Sequence, residues 1–241
     1  MTDNRFMRTA LLLGEDNLKK LQNATVAIVG LGAVGGYALE ALARAGIGHL
    51  ILIDFDRFDI TNINRQILAL DTTIGIKKTD VAKARVLSIN PNCIVEIKDA
   101  FVSAQNLEKI FDSHIDFAVD AMDSIKEKCD MMAFFYHKKI PFISAMGAAL
   151  KTDISALKIT KLSETRYCPM AKKIRKNLKE RGIDTTKINC VASFEQTPPD
   201  KAIIASGDGK KAVLGSISTI TATMGLMLAH DVMMHLIKEE K

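Results

Sequence analysis

Three glycines at fixed spacing, Gly30-Leu-Gly32-Ala-Val-Gly35, follow the apolar run Thr25–Val29 and precede an alanine- and leucine-rich stretch. Each glycine answers a chemical need. The first permits a tight turn, the second lets backbone approach a phosphate, and the third lets a helix lie close to the preceding strand. A helix that starts there offers unpaired N–H groups and a partial positive charge to an anion. The motif points to a nucleotide and leaves NAD, FAD, SAM and ATP open. Asp54, at the end of the next apolar run, is placed to accept hydrogen bonds from ribose hydroxyls, which an NAD site would equally require.

The following segment separates these readings. It runs Asp54-Phe-Asp56-Arg57-Phe-Asp59-Ile-Thr61-Asn62-Ile-Asn64-Arg65-Gln66. A dinucleotide pyrophosphate is handled largely by backbone amides, whereas a triphosphate calls for cationic side chains. Arg65 can fork onto phosphate oxygens, Asn62 can donate to them, and Lys78 adds a point charge. Arg57 and Asp59 read as parts of a solvated loop. Asp120-Ala-Met-Asp123-Ser124 then places a carboxylate just beyond another apolar run. Beside a triphosphate, Asp123 is a natural Mg²⁺ ligand, the alternative being a helix cap.

These residues need a scaffold that gathers strand ends. Thr25–Val29 and His49–Ile53 read as short buried strands about one βαβ unit apart, with a helix over Tyr37–Ala45 stopped by Gly46 and Gly48. Lys78–Ile89 is predicted as a helix ended by Asn90-Pro91. Strands are predicted at Cys93–Lys98, Asp116–Ala121, Pro141–Ala145 and Ile154–Thr160, and helices at Leu107–Asp112 and Ile125–Lys138. An N-terminal helix or helix pair covers Asn4–Leu21. This alternation predicts an α/β fold with a Rossmann-like doubly wound, mostly parallel sheet, helices on both faces and a C-terminal extension. Residues 1–160 are expected to form the ATP-binding part. Residues 161–241 are expected to be a basic, loop-rich segment and a C-terminal helix packed on the same domain, with loop signals at Thr197-Pro198-Pro199-Asp200 and Gly207-Asp208-Gly209.

Taken as a set, Gly30–Gly35, Asp54-x-Asp56, Asn62-x-x-Arg65-Gln66, Lys78 and Asp123 resemble the adenylation domain of the ThiF-type, ubiquitin-activating-enzyme-like superfamily over about residues 5–150. Thr61-Asn-Ile-Asn-Arg-Gln66, Ala41-Leu-Ala-Arg-x-Gly-Ile-Gly48 and Thr221-Ala-Thr-x-Gly225 are most similar to its members that cyclise threonylcarbamoyladenosine in tRNA. The resemblance implies ATP-dependent adenylation of the substrate carboxylate and then intramolecular cyclisation, a net dehydration. It implies Mg²⁺ and allows a monovalent cation, without zinc. Arg8 matches an arginine that reaches the phosphates of a partner subunit, which implies a homodimer. A cysteine desulfurase and sulfur-acceptor system is a further partner the resemblance allows. Cys190 matches a cysteine-containing stretch of the family, but a cysteine often found just before the last helix has no counterpart near Gly215.

Composition bounds the rest. The chain has 241 residues, 48% hydrophobic and 25% charged, and a net charge of +5. This fits a folded α/β domain and permits an anionic partner without demanding one. Lys172, Lys173, Arg175, Lys176 and Lys179 form a basic cluster that, given the resemblance, is assigned to tRNA. Four cysteines without a C-x-x-C pair and no apparent leader favour a reducing cytoplasm. Cys93 and Cys129 are expected to be packed thiols, and Cys168 to be exposed. Val213–Ile237 approaches a membrane span in length, but its polar residues favour a half-buried helix and no span. Competing functions are adenylation of a ubiquitin-like sulfur carrier, an NAD-dependent dehydrogenase, and a non-catalytic nucleotide sensor. The dehydrogenase leaves Arg65, Lys78 and Asp123 without roles.

Overall fold

In the computed structural model of the chain, which describes residues 4–196, 203–204 and 213–238, the N-terminal helical stretch splits into α1 (Met7–Leu13) and α2 (Glu15–Asn23). The break is Gly14, whose φ of 90° lies where a side chain would be strained. Next come β1 (Thr25–Val29), α3 (Gly35–Ala45), β2 (His49–Ile53), α4 (Lys78–Ile89) and β3 (Ile94–Lys98). The chain continues through α5 (Leu107–Ile110), β4 (Phe117–Asp120), α6 (Ile125–Lys138) and β5 (Phe142–Ala145). It ends with β6 (Leu157–Lys161), α7 (Pro169–Glu180), β7 (Asn189–Ser193), β8 (Ile203–Ile204), β9 (Val213–Leu214) and α8 (Ser218–Ile237).

Seven strands form one sheet in the order β3-β2-β1-β4-β5-β7-β6, parallel except where β6 runs against β7. The direction of winding reverses between β1 and β4, and in such sheets ligands occupy the crevice at that reversal. Register makes the crevice level. Val29 pairs with Ile53 on one side and Asp120 on the other. Gly30, Asp54 and Ala121 therefore leave the sheet side by side. The doubly wound α/β expectation agrees with this architecture.

Helices cover both faces, so the central strands are apolar throughout rather than alternating. One core cluster joins β1, β2 and β4 to α3, α4 and α8. Another joins the opposite face to α5 and α6, and a third lies between α6, α7 and the β5-β7-β6 end. Helix α8 is long and apolar enough to cross a membrane by length and composition. Here it buries Ile220, Met224, Leu228, Ala229 and Val232, each large aliphatic side chain contributing about 1.5–3 kcal/mol. At Gly225 an added Cβ would lie 2.4 Å from the Val34 carbonyl oxygen, so glycine is what allows α8 to approach α3 so closely.

Three expectations change. Of the predicted strand at Ile154–Thr160, the first residues form a 3-10 turn, because the Asp153 carboxylate takes the Ser155 amide at 2.8 Å. The segment read as loop-rich holds a full helix, α7, and an interior strand, β7, so both sides of residue 160 share the sheet. Cys168 is buried at 6% exposure rather than exposed. The turn signals at Thr197–Asp200 and Gly207–Gly209 lie outside the described residues.

Candidate active site

A cavity of about 1070 Å³ opens at the carboxyl ends of the parallel strands. That exceeds the usual span for one small ligand. One half is walled by the glycine turn and the loop after β2; the other by residues after β5 and before α7. Val34, Lys78, Ser124 and Cys168 all line it, and these stand at the amino ends of α3, α4, α6 and α7. Residues at the amino ends of four helices thus border one space, and at α3 the first amides have no side-chain cap, an arrangement suited to an anion.

The glycine turn is built by close contact. Gly30 has φ 89°, and a Cβ there would lie 2.8 Å from the Ala121 oxygen. A Cβ on Gly35 would lie 1.7 Å from the Gly30 oxygen, so α3 could not start where it does. Gly32 differs: its nearest neighbour is Gln66 Nε2 at 3.9 Å, which leaves the turn open towards the cavity. Val34 caps α3 without a side-chain bond to the first amides.

Asp54 is buried and braces the turn. Its Oδ2 accepts from the Leu31 amide at 2.6 Å and its Oδ1 from the Asp56 amide at 2.8 Å. This structural task stands beside the ribose contact expected from sequence. Lys78 starts α4 with only 7% of its side chain exposed, and its Nζ meets Asp56 Oδ2 at 2.8 Å. Arg65 is half-buried, its Nη1 donating to the Thr61 carbonyl and Asn64 Oδ1, each at 2.8 Å. Asn62 Oδ1 accepts from the Asp59 amide at 3.2 Å. Asp59 is a local cap: the Thr61 hydroxyl and then the Thr61 amide hold its carboxyl below the usual range. Arg57 donates to the Gly75 carbonyl. Gln66 is buried, lines the cavity and has an unpartnered Oε1. An orphaned buried oxygen of this kind marks a place where a ligand donor fits.

Asp123 projects exposed into the cavity, and neither it nor Ser124 caps α6 with its side chain. Among the described residues no group of three His, Cys, Asp or Glu side chains gathers as a metal site. Asp123 would hold Mg²⁺ together with ligand phosphates, the usual pattern for that ion. Arg8 does not line this cavity; it is exposed on α1.

Sequence reasoning missed what anchors Met122, the residue before Asp123. Lys128 and Asp120 are both 0% exposed and pair at 2.9 Å. The Lys128 ammonium also donates to the Met122 carbonyl at 2.9 Å. Asp120 accepts from the Ser144 hydroxyl at 2.7 Å and the Met122 amide at 3.2 Å. The signal was present: Lys128, Met131 and Phe135 share one helical stripe, and a lysine on an apolar stripe needs a buried counter-charge.

On the other wall, buried Lys151 donates to the Glu195 carbonyl at 2.5 Å and the Tyr167 carbonyl at 3.5 Å. The Glu195 carboxylate in turn accepts the Thr152 and Asp153 amides at 2.8 and 2.9 Å. Beyond this wall, Lys172, Lys173, Lys176 and Lys179 are exposed along α7. Arg175 departs from that set: half-buried, it turns back onto the Thr165 carbonyl and hydroxyl. Burial pushes the Cys190 thiol up to about 12 and those of Cys93 and Cys129 to about 11, which makes all three poor nucleophiles.

The family model described as ThiF family matches residues 4–241. The tRNA threonylcarbamoyladenosine dehydratase of Bacillus subtilis is 43% identical over 180 residues, covering 75% of this chain and 71% of that protein. Solved structures of the Escherichia coli tRNA N6-threonylcarbamoyladenosine dehydratase are similar throughout. The complex with AMP gives a TM-score of 0.89 at 33% identity, covering 97% of this chain and 94% of that one. The complex with ATP gives 0.87 at the same identity and coverage.

Proposed function

Because the chain belongs to the ThiF family, we propose that it is an ATP-dependent enzyme that activates the carboxylate of threonylcarbamoyladenosine in tRNA and lets it cyclise. The observation that carries this reading is the gathering of Gly30, Gly32, Arg65, Gln66, Lys78 and Asp123 around half of a cavity whose other half has room for an acyl substrate. The likeness to dehydratases, over 75% of the chain for the Bacillus subtilis protein and 97% for the Escherichia coli structure, supports it.

The chemistry balances simply. A substrate carboxylate oxygen attacks the α-phosphorus of ATP, and the bond to pyrophosphate breaks. The substrate's carbamoyl group then attacks the activated carbonyl, and AMP leaves with the former carboxylate oxygen. The net change in the nucleoside is loss of one water. The nucleophile comes from the substrate, so no enzyme thiol is needed, which suits a chain whose Cys93, Cys129 and Cys190 thiols are suppressed by burial.

What the protein supplies is placement and charge. Gly32 and the α3 amides cradle phosphate. Asp54 and Gln66 take donors from the nucleoside. Arg65 and Lys78 meet phosphate oxygens, Lys78 exchanging its Asp56 contact for them. Mg²⁺ on Asp123 would neutralise phosphate charge. Arg8 of the partner subunit completes the set in a homodimer. That assembly accounts for the exposed Met7, Leu11 and Leu12 beside Arg8. The α7 lysines meet tRNA phosphates, and the enzyme works in the cytoplasm.

The test is incubation of tRNA bearing threonylcarbamoyladenosine with protein, ATP and Mg²⁺, followed by nucleoside mass analysis. A product lighter by one water is expected, with one pyrophosphate per turnover. Asp123→Ala and Arg65→Ala should each slow pyrophosphate release by about 10²–10³-fold. Near-normal rates in both would reject the site; unchanged nucleoside would reject the activity.

A further inference from the structure

Tyr167 stands where the free half of the cavity meets the basic helix. It lines the cavity, and its side chain and backbone together are 53% exposed. The next residue, Cys168, caps α7, whose outer face carries Lys172, Lys173, Lys176 and Lys179. An aromatic ring therefore separates a cavity from a cationic surface.

The backbone there is strained. Tyr167 has φ 56°, a left-handed conformation that is costly for a residue with a bulky side chain. Leu150, on the same wall, has φ 62°. Such outliers persist only where the surroundings over-determine them, and they concentrate at ligand clamps. The clamp is visible here. The buried Lys151 ammonium ties the Tyr167 carbonyl to that of Glu195, while the Glu195 carboxylate holds the residues that follow Lys151. Tyr167, 53% exposed, recovers only part of the burial energy of a tyrosine in return. Glycine would meet this φ without strain, so the backbone angle itself does not call for the ring.

We propose that Tyr167 is the stacking platform for the purine base of the RNA substrate, holding the nucleoside so that its carboxylate enters the cavity beside Asp123. The inference rests on the tRNA reading above and assigns a residue to it. Single-stranded RNA bases are recognised by stacking on aromatic side chains. Enzymes that work on a base take it out of its stack and hold it between such surfaces. The α7 lysines supply the phosphate contacts on the same side.

The experiment uses the full chain, tRNA carrying threonylcarbamoyladenosine, and the variants Tyr167→Gly, Tyr167→Asn and Tyr167→Phe. Glycine and asparagine both tolerate left-handed backbone. Their melting temperatures should stay within about 3 °C of wild type, since relieved strain offsets the greater freedom of the unfolded chain. Their KM for tRNA should rise roughly 5- to 150-fold, the range for losing one stacked base. The kcat and the Kd for ATP should stay put, and Tyr167→Phe should restore KM to within about twofold, stacking being independent of the hydroxyl. A wild-type KM in the glycine variant would overturn the inference while leaving the activity in place. So would a fall in melting temperature that tracks the KM, or a loss of ATP affinity instead of tRNA affinity. A wild-type protein inactive on this tRNA would overturn the functional reading, and the inference with it.

Discussion

Replacing Lys128 with methionine removes one charge from a pair in which neither side chain is exposed. Methionine is unbranched and of comparable length, so the volume is largely kept and the perturbation is mainly electrostatic. Asp120 would keep the Ser144 hydroxyl and the Met122 amide as donors but lose the Lys128 ammonium, and the Met122 carbonyl would lose its 2.9 Å donor. Breaking a buried pair from one side costs about 3–5 kcal/mol, because the remaining charge stays desolvated and uncompensated. At about 2–4 °C per kcal/mol for a chain of this size, the melting temperature should fall by roughly 6–20 °C. Urea unfolding followed by far-UV circular dichroism and tyrosine fluorescence (the chain has no tryptophan) measures the free-energy loss directly. The midpoint should drop while the slope stays constant. Adding Asp120→Asn removes the stranded charge, so the double variant should regain about 1–3 kcal/mol over Lys128→Met alone. A loss under about 1 kcal/mol in the single variant, or no recovery in the double, would refute the claim that the pair is dry and mutually compensated. Because Met122 adjoins Asp123, pyrophosphate release should also slow at temperatures where the variant remains folded.

Two further outcomes follow from burial and surface charge. The thiols of Cys93, Cys129 and Cys190 lie above their unfolded value of about 9, so the folded state holds protons that the unfolded chain releases. Their contribution to stability is complete below about pH 9 and is lost as pH rises through about 11–12; thiolate absorbance of the folded protein should stay low at pH 9, and strong absorbance there would contradict the burial. On α7, neutralising Lys172, Lys176 and Lys179 together should weaken tRNA binding and lower the steepness of its salt dependence by up to about three charges, whereas Arg175→Gln should act mainly on stability. A salt-titration slope unchanged in the triple variant would remove α7 from the RNA surface.

How much of this was legible in the sequence depends on where the constraint lay. β1, β2 and α4 have the boundaries read from the sequence, because their signals are local. Strands covered on both faces show as unbroken apolar runs, and Asn90-Pro91 stops a helix by sterics alone. Helix α3 starts at Gly35 rather than Tyr37, since the third glycine of the turn already belongs to it. α7 was obscured by its charges, although Ala171, Ile174 and Leu178 form its buried stripe. β7 is five residues long and takes its place from β5 and β6, partners remote in sequence. Arg65, Lys78 and Asp123 carry chemistry in their residue types and could be picked out directly. Tyr167 could not, because its distinguishing property is a backbone angle that its neighbours impose.

The charge balance around the cavity argues for a metal-bound polyphosphate more firmly than any single residue. By formal charge the lining is unpromising for an anion: Asp54, Asp56, Asp59, Asp123 and Glu127 stand against Arg57, Arg65, Lys78 and Lys151. Three of those acids are already committed. Asp54 holds two backbone amides, Asp56 holds Lys78, and Asp59 caps its own turn. Asp123, just before α6, and Glu127, in its first turn, remain. Against them stand Arg57, Arg65 and Lys151, together with the uncapped amino end of α3 at the glycine turn. A ligand that suits this field is strongly negative along most of its length and carries a cation of its own at one end. A dinucleotide pyrophosphate meets the first condition weakly and the second not at all, whereas a magnesium-bound triphosphate meets both. ATP with Mg²⁺ should therefore raise the melting temperature well beyond NAD at equal concentration, and the excess should shrink in Asp123→Ala. A larger shift with NAD would reverse the assignment of the cavity.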